Sequence, residues 1–478
     1  NLWPLPIMSQ VIVLGAGLSG LASAALLARA GHDVTVIERH SWLGGKSRRV
    51  EVAGQIMDTG PALVTFTGVW EKLLASYDKL GEKQPKTARQ IADLEFVKLN
   101  ELGRYYYKDE ITDLPVKPDH KWSEPWQRFE KDHAPLTGPI TELLTKLPLD
   151  PRAFPSLAKL QKRYGFRLTT SWYLNAIKWL PQDLKDIIAI HTLNAGIAPN
   201  RTLALYASMT AVMATDGIRV PVGGVNEIAQ SLGKLATAAG VTIKLEEEIT
   251  KISRRQITTK AGSYSADYIV SSLDPQVLEA LMTGKKASPA RTRSCSGIAI
   301  YAVLDSPLPE STVTHSVVMP DEPQDLYQKL EANELPKQTM AFVNYYKANE
   351  IYPNNKPTVA VLLTAPADGK HYDINHPWVK NEVERISKKM GLSKSIVSQF
   401  EEHLVLDPQY FGSWGAPGGA LYGATKPIWQ SGPFHNPQYK NPLRPWLYRV
   451  GASVHPGGGI PAVLGGAMNS IAGLLGKH

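Results

Sequence analysis

Apolar runs of four to six residues punctuate this chain, and longer Ala/Leu-rich stretches lie between them. The short runs predict buried strands and the longer ones helices. Val11-Ile12-Val13-Leu14 is the first such strand. Gly15-Ala16-Gly17-Leu18-Ser19-Gly20 follows, then a helix from Leu21 to Ala30 stopped by Gly31. A second strand, Val34 to Ile37, is closed by Glu38. The whole Val11–Ala30 stretch is apolar for almost the length of a membrane span. Three spaced glycines, and the change from β-branched to Ala/Leu composition, predict a strand, a turn and a helix instead.

Pro115, Pro118, Pro139, Pro148, Pro151 and Pro155 interrupt the middle of the chain and predict irregular segments between short elements. A helix is expected through Trp172–Leu180, with Trp172 and Trp179 seven apart on one face and Lys178 beside them. Further helices are expected at 183–193 and 203–214. The α/β pattern then returns. Gly217 to Gly224 precede a helix from Asn226 to Ala239, and strands are expected at 241–245, 248–252 and 267–272. Ile298–Leu304 and Val359–Thr364 read as strands and Val379–Met390 as an amphipathic helix. Last come a short strand at Leu447, a Gly/Pro loop and another Ala/Leu-rich helix. The expected fold class is therefore α/β.

The first unit has a chemical meaning. Strand, Gly-x-Gly-x-x-Gly turn, helix, strand and acid make a complete βαβ nucleotide-binding unit. Gly15 permits the tight turn, Gly17 lets backbone approach a pyrophosphate, and Gly20 lets helix pack on strand. The helix amino terminus offers unpaired N–H groups to phosphate. Glu38 can accept hydrogen bonds from both ribose hydroxyls, and its charge disfavours a 2′-phosphate.

Leu43-Gly44-Gly45-Lys46-Ser47 and Met57-Asp58-Thr59-Gly60-Pro61 come next. This continuation resembles the flavoprotein superfamily of amine oxidases and phytoene desaturases. There a Gly-Gly-Arg/Lys segment lies along FAD and an Asp-x-Gly-Pro segment follows. Lys46 departs from the arginine of many relatives, keeping the charge and losing the planar fork. Asp58 can equally hold the N–H groups of its own turn. Gly451-Ala452-Ser453-Val454-His455-Pro456-Gly457-Gly458-Gly459-Ile460-Pro461 looks like the carboxyl-terminal signature of bacterial-type carotenoid (phytoene) desaturases. Gly418-Gly419-Ala420-Leu421-Tyr422-Gly423 upstream resembles the same family.

The resemblance implies a Rossmann-like FAD-binding domain from residues 8–70, 216–295 and 411–478. A substrate-binding and membrane-associating domain from 71–215 and 296–410 interleaves with it. FAD contacts are then implied for Gly15, Gly17, Leu18, Ser19, Gly20, Glu38 and Arg39, and for Gly44, Gly45, Lys46, Asp58, Gly60 and Pro61. Ile249 is implied to lie against the adenine. Gly451, His455, Gly457, Gly459, Ile460 and Pro461 complete the implied set. No catalytic side chain is named with certainty by the sequence. Flavin N5 is the implied hydride acceptor, and His455 is a candidate base or a structural hydrogen-bonding group. Arg449 is read as a strand-end charge or a cofactor contact.

The implied activity is desaturation of a lipophilic polyene, with quinone or oxygen as final acceptor. An amine oxidase, isomerase, saturase or terminal oxidase on the same scaffold is the alternative, and a non-catalytic flavin-binding redox protein is a further one.

Composition adds limits. The chain has 478 residues, which at about 150 per domain suggests two or three domains. The 52 basic residues exceed the 44 acidic ones mildly, for a net charge of +8 and no long basic run, which argues against nucleic acid. Eleven Trp and nineteen Tyr beside nine Phe favour a half-wet interface. A peripheral position on the cytoplasmic face of a membrane is expected, and the Trp172–Leu180 segment reads either as its contact or as an ordinary helix packing its aromatics in the substrate domain. Asn1–Ile7, ahead of Met8, carry no basic region and no long apolar run, so no signal peptide is read there. Cys295 alone forms no disulfide framework or cysteine-rich zinc site, and no metal motif is seen.

Overall fold

The computed structural model describes residues 8–99, 102–286, 292–425, 428 and 436–476. The Asn1–Ile7 stretch read above lies outside them.

Val11 to Leu14 are all buried, as a strand covered on both faces requires. They sit at the centre of a five-stranded, all-parallel sheet. In spatial order its strands are Thr242–Lys244, Asp33–Ile37, Gln10–Leu14, Tyr268–Ser271 and Leu447–Arg449. The register sets Val11 against Val34 on one side and Tyr268 on the other, and Val270 against Tyr448. One sheet thus collects strands from three distant stretches of sequence. The chain leaves the central strand towards one side, and the other neighbour arrives from far downstream. That is a topological switch point, and crevices for ligands open there at the carboxyl ends of the strands.

Helix Leu18–Arg29 is buried along nearly its whole length. Its small residues let helices Glu227–Ala238 and Ile460–Leu474 pack closely against it. A three-stranded antiparallel sheet, Ile249–Ser253, Gln256–Thr259 and Ser263–Ser265, sits beside the parallel one and shares apolar packing with Ile12 and Ile37.

A second, seven-stranded sheet runs Phe400–Leu406, Ser296–Leu304, Thr358–Ala365, Ala341–Tyr346, His315–Val318, Gly103–Tyr107 and Glu110–Leu114. Its pairs are antiparallel except for His315–Val318 with Gly103–Tyr107. The hairpin Arg49–Val52/Gln55–Asp58 fastens the two parts together, packing Val50, Val52 and Met57 on Ala299, Tyr301 and Val303.

Helices Thr170–Ala176, Gln182–Ile190 and Met209–Asp216 fall in expected helical regions, the first with a correction. Ser123–His133, Thr137–Leu144 and Phe154–Tyr164 are helices where irregular segments were expected. Pro139 and Pro155 sit in the first turns of theirs, where little helix bonding is lost. Helix Thr170–Ala176 stops at Ile177, whose ψ of 89° is not helical. Pro181 disfavours helical backbone at Leu180, so a turn separates this helix from Gln182–Ile190. Trp179 lies in that turn, half-buried, with the Arg128 guanidinium 4.2 Å from its ring centroid. Trp172 is 54% exposed. The two tryptophans therefore do not share a helical face.

Candidate functional site

The glycine loop is held in shape by close approaches that only hydrogen permits. A side chain on Gly20 would strike the carbonyl oxygen of Gly15, and Gly15 itself has φ +93°. Ser272 Oγ donates to Leu14 O at 2.7 Å and fixes the strand end beside the loop. Gly17 differs from both, because the space around its missing side chain is open. It caps helix Leu18–Arg29 with no side-chain bond, which leaves that helix's first N–H groups without a capping side chain. Leu18 and Ser19 are buried in the first turn.

The second glycine pair is laid along the first. Gly17 and Gly44 form a parallel bridge, Gly44 N–H donates to Ala16 O at 2.8 Å, and a Cβ on Gly45 would stand 3.1 Å from Gly17 Cα. Gly60 and Pro61 pass the same place: Gly60 approaches the Lys46 carbonyl too closely for any side chain. The carboxyl-terminal loop arrives from the opposite side, with Gly451 set between Ser19 and Ser272. Gly457 and Gly459 have open space around them, and Gly459 caps helix Ile460–Leu474, which opens with Ile460 and Pro461. Two helix amino termini thus lie at the carboxyl edge of the parallel sheet, after strands Gln10–Leu14 and Leu447–Arg449 that flank Tyr268–Ser271.

Glu38 closes this end, its side chain only 9% exposed. Its Oε2 accepts from Ala16 N–H at 2.8 Å and its Oε1 from His40 N–H at 2.9 Å. The acid reaches the glycine loop as the spacing predicts, and it also braces that loop. His40 lies beside it, and desolvation keeps its pKa below the usual histidine value despite the nearby carboxylate. His40 stacks on Trp42 at 4.2 Å and tilts against Trp414 at 4.7 Å. Arg39 donates to Ser413 O at 3.0 Å, and Arg48 to Tyr410 Oη at 3.1 Å. These aromatic and guanidinium contacts make a rim over the nucleotide end that the sequence reading missed. Ile249 begins the neighbouring antiparallel strand, and Glu247 N–H donates to Glu38 O.

Asp58 has a different role from the one implied. Its side chain is 1% exposed, and both oxygens are engaged by protein. Arg49 binds it through Nε at 2.8 Å and Nη2 at 3.3 Å, Asn226 N–H donates at 2.9 Å and Tyr352 Oη at 3.1 Å. Arg49 also reaches Glu227 at 2.9 Å and Gly223 O at 2.5 Å. Asn226 Nδ2 then donates to Ser47 O at 2.7 Å. The carboxylate therefore braces the wall that carries Gly44–Ser47, acting at one remove from the crevice. A void of about 20 Å³ beside it, between Tyr301, Tyr346 and Tyr352, has room for about one water.

His455 is likewise an anchor. Its Nε2 lies 3.1 Å from Lys146 O, and its carbonyl accepts from Tyr439 Oη at 2.8 Å. The ring ties the carboxyl-terminal loop to a segment 309 residues away, which leaves it badly placed as a base.

Lys46 donates to Leu421 O at 2.8 Å. It keeps much water-accessible surface while protein surrounds it, so it lines an internal cleft. Desolvation lowers its pKa, and Asp274 opposes that shift. Asp274 caps helix Pro275–Thr283 and has its pKa raised by desolvation, with Lys46 and Arg449 pulling it back. Arg449 is lowered by desolvation and supported by Asp274. A cation, an anion and a second cation thus share one desolvated space. The sequence signal for Asp274 was its Asp-Pro capping pair after a buried strand.

Tyr422 and Tyr206 line the same cleft. Both are partly accessible to water although enclosed by protein, and burial raises both phenols. The Tyr422 ring is wedged where any side chain on Gly458 or Gly196 would strike it. Cys295, behind Tyr422, is a buried thiol that desolvation pushes up to about 12, far from a reactive thiolate.

A dinucleotide fits this crevice: two helix amino termini, open space at Gly17, Gly457 and Gly459, and an acid at the second strand's end. Fold and site together define a flavin-dependent oxidoreductase. The sequence profile described as "Flavin containing amine oxidoreductase" matches residues 18–433, and the chain belongs to that family. It is an FAD-dependent oxidoreductase. It is 24% identical over 506 aligned positions to the 4,4'-diapophytoene desaturase (4,4'-diaponeurosporene-forming) of Staphylococcus aureus (strain Newman), covering 97% of this chain and 98% of that protein. Among solved structures, wild-type putrescine oxidase bound to putrescine superposes with TM-score 0.63 at 14% identity, covering 98% of this chain and 99% of that one. The CLA-producing fatty acid isomerase from P. acnes superposes with TM-score 0.56 at 14% identity, covering 96% and 97%. These structural likenesses establish the fold.

Proposed function

We propose that this protein is an FAD-dependent desaturase that introduces C=C bonds into a long acyclic polyene. Residues 8–70, 216–295 and 411–478 are assigned to cofactor binding, and 71–215 and 296–410 to the substrate. The observation that carries the reading is the end-to-end similarity to a diapophytoene desaturase, together with the His455–Pro461 loop at the crevice. The cleft beside that loop agrees with it. Tyr422 and Tyr206 present neutral surface there, and the carboxylate in the cleft, Asp274, already faces two cations, Lys46 and Arg449, whereas an ammonium substrate gains most from a carboxylate left free to face it.

Bound FAD supplies a two-electron acceptor to such a site. The chain's own groups do the rest. The N–H groups at Gly17 and Gly459, with the dipoles of their helices, hold phosphate and the flavin edge. Glu38 holds the ribose. Lys46 offers a desolvated positive charge at the cleft wall, kept in place by Leu421 O and compensated by Asp274. Tyr206 and Tyr422 exclude bulk water and fix the path of an apolar chain. Quinone or oxygen is the proposed final acceptor.

An isomerase is the second reading, favoured by the fold shared with the fatty acid isomerase. Expression in cells that accumulate defined carotenoids separates the two. A desaturase red-shifts the pigment spectrum and the product loses hydrogen by mass, while an isomerase leaves the mass unchanged. If no supplied polyene changes at all, the desaturase proposal falls.

A further inference from the structure

Eleven large hydrophobic side chains are exposed among the described residues, and five of them fall between Leu149 and Trp172. These are Leu149 at 58%, Phe154 at 52%, Phe166 at 86%, Leu168 at 59% and Trp172 at 54%. Scattered single exposures need no explanation, but a concentration of this kind does.

The local structure explains how they are presented. Helix Phe154–Tyr164 buries Leu160 and Tyr164, so its outer face carries Phe154, Lys159 and Lys162. Gly165 then turns the chain with φ +60°, and Phe166, Arg167 and Leu168 follow in succession, all exposed. Thr169 caps the next helix through its side chain, which sets Trp172 outward in the first turn.

The charge along this stretch is predominantly positive. From Leu149 to Leu180 there are six basic residues and one acid, Asp150, which is tied to Arg152. Arg163 is paired with Asp132, whereas Lys159, Lys162, Arg167 and Lys178 stand exposed. Exposed apolar tips interspersed with exposed cations along one stretch of chain are complementary to an anionic bilayer surface, where the tips enter the acyl boundary and the cations meet the headgroups. A protein partner would have to match five separate protruding apolar tips, so the observations favour lipid.

The patch is also joined to the cleft. Ala204 N–H donates to Leu168 O at 2.9 Å, and Thr170 N–H to Thr202 O at 3.0 Å. Thr170 Oγ1 donates to Leu203 O at 2.8 Å. The exposed Leu168 is thus bonded directly to the segment whose Tyr206 lines the cleft two residues on. Tyr164 Oη and Ser208 Oγ close the same seam from the helix side.

We propose that Leu149–Trp172 is an anionic-membrane docking surface, and that the Leu168–Thr170/Thr202–Tyr206 seam behind it is where an apolar substrate passes from bilayer to cleft. This rests on the polyene reading above, and it moves the membrane contact from the Trp172–Leu180 helix face to the Phe154 helix and the Phe166 turn.

The test uses FAD-loaded protein and flotation with phosphatidylglycerol-rich or pure phosphatidylcholine vesicles. Wild type should float with the anionic vesicles and be released by raised salt, because exposed charges are screened. The variant Phe166→Ser/Leu168→Ser/Trp172→Ser should partition about tenfold less or weaker still, with an unchanged flavin absorbance spectrum as the control for folding. Equal flotation of variant and wild type, or no flotation of wild type, would overturn the docking surface. Turnover then tests the seam: the variant should lose it on vesicle-held polyene and retain it on detergent-dispersed polyene. Equal loss in both presentations overturns the delivery route. Failure of wild type to convert detergent-dispersed polyene strikes the proposed function instead, while flotation still decides the surface.

Discussion

Asp58→Ala is the perturbation that most directly separates a bracing carboxylate from a cofactor ligand. Four donated hydrogen bonds end on this side chain, which is 1% exposed. Removing one partner of a buried ion pair costs about 3–5 kcal/mol, because the remaining charge loses its compensation. Glu227 still faces Arg49 at 2.9 Å, which puts the expectation at the lower end of that range. At about 2.1 cal/mol/K per residue, unfolding entropy for the whole chain is about 1 kcal/mol/K, so the midpoint should fall by about 3 °C. The assay is thermal unfolding of the FAD-free protein, which removes any contribution from ligand binding. The double variant Arg49→Met/Asp58→Leu should cost less than the sum of its parts, since neither charge is left alone. An FAD-free Asp58→Ala protein that melts with wild type, yet binds FAD far more weakly, would refute the bracing role and restore direct contact.

Other outcomes follow from the same geometry. Gly17→Ala should leave the FAD-free protein as stable as wild type, since its Cβ meets nothing, while weakening FAD affinity by titration; Gly20→Ala should destabilise the FAD-free protein by about 2 kcal/mol or more through the clash with Gly15. Gly458→Ala should displace the Tyr422 ring and reduce turnover more than FAD affinity; unchanged turnover would remove Tyr422 from the cleft wall. His133, His191 and His315 are all held at about 4 by desolvation. Below about pH 6.5 the unfolded chain binds protons that the folded one refuses, so stability is full above that pH and is lost as pH falls towards 4. Urea midpoints that stay level between about pH 7 and pH 5 would contradict this.

The nucleotide unit was legible because each of its elements has a local cause. Val11–Leu14 must be covered on both faces, Gly15 and Gly20 must lack side chains, and Glu38 must fall at the end of the next strand. In the carboxyl-terminal segment the strand, Gly/Pro loop and helix were legible locally, while its role came only from the resemblance to a desaturase signature. What escaped were roles settled by partners distant in sequence. Asp58 was open to two readings, cofactor contact or brace of its own turn, and the partners that engage it, Arg49, Asn226 and Tyr352, include two far away in sequence. His455 was read as a candidate base or a structural hydrogen-bonding group, and the partner that favours the second, Lys146, lies 309 residues away. The Trp172–Trp179 face failed because heptad spacing says nothing about a turn before Pro181. The His40–Trp42–Trp414 rim was invisible because Trp414 comes to it from the far end of the second sheet.

The order of strands in the parallel sheet bears on how this protein is made. Its central strand ends at Leu14 but pairs with Tyr268–Ser271, and that strand in turn pairs with Leu447–Arg449. Contacts so distant along the chain are slow to form. During synthesis the early βαβ unit must wait, with one edge of its first strand open, while more than two hundred residues emerge. The second helix terminus at Gly459 comes later still, after residue 449 has left the ribosome. With that terminus assigned to FAD as proposed, high-affinity loading is expected to be a late event, and the central strand keeps an open edge, a ready pairing template, until its downstream partner arrives.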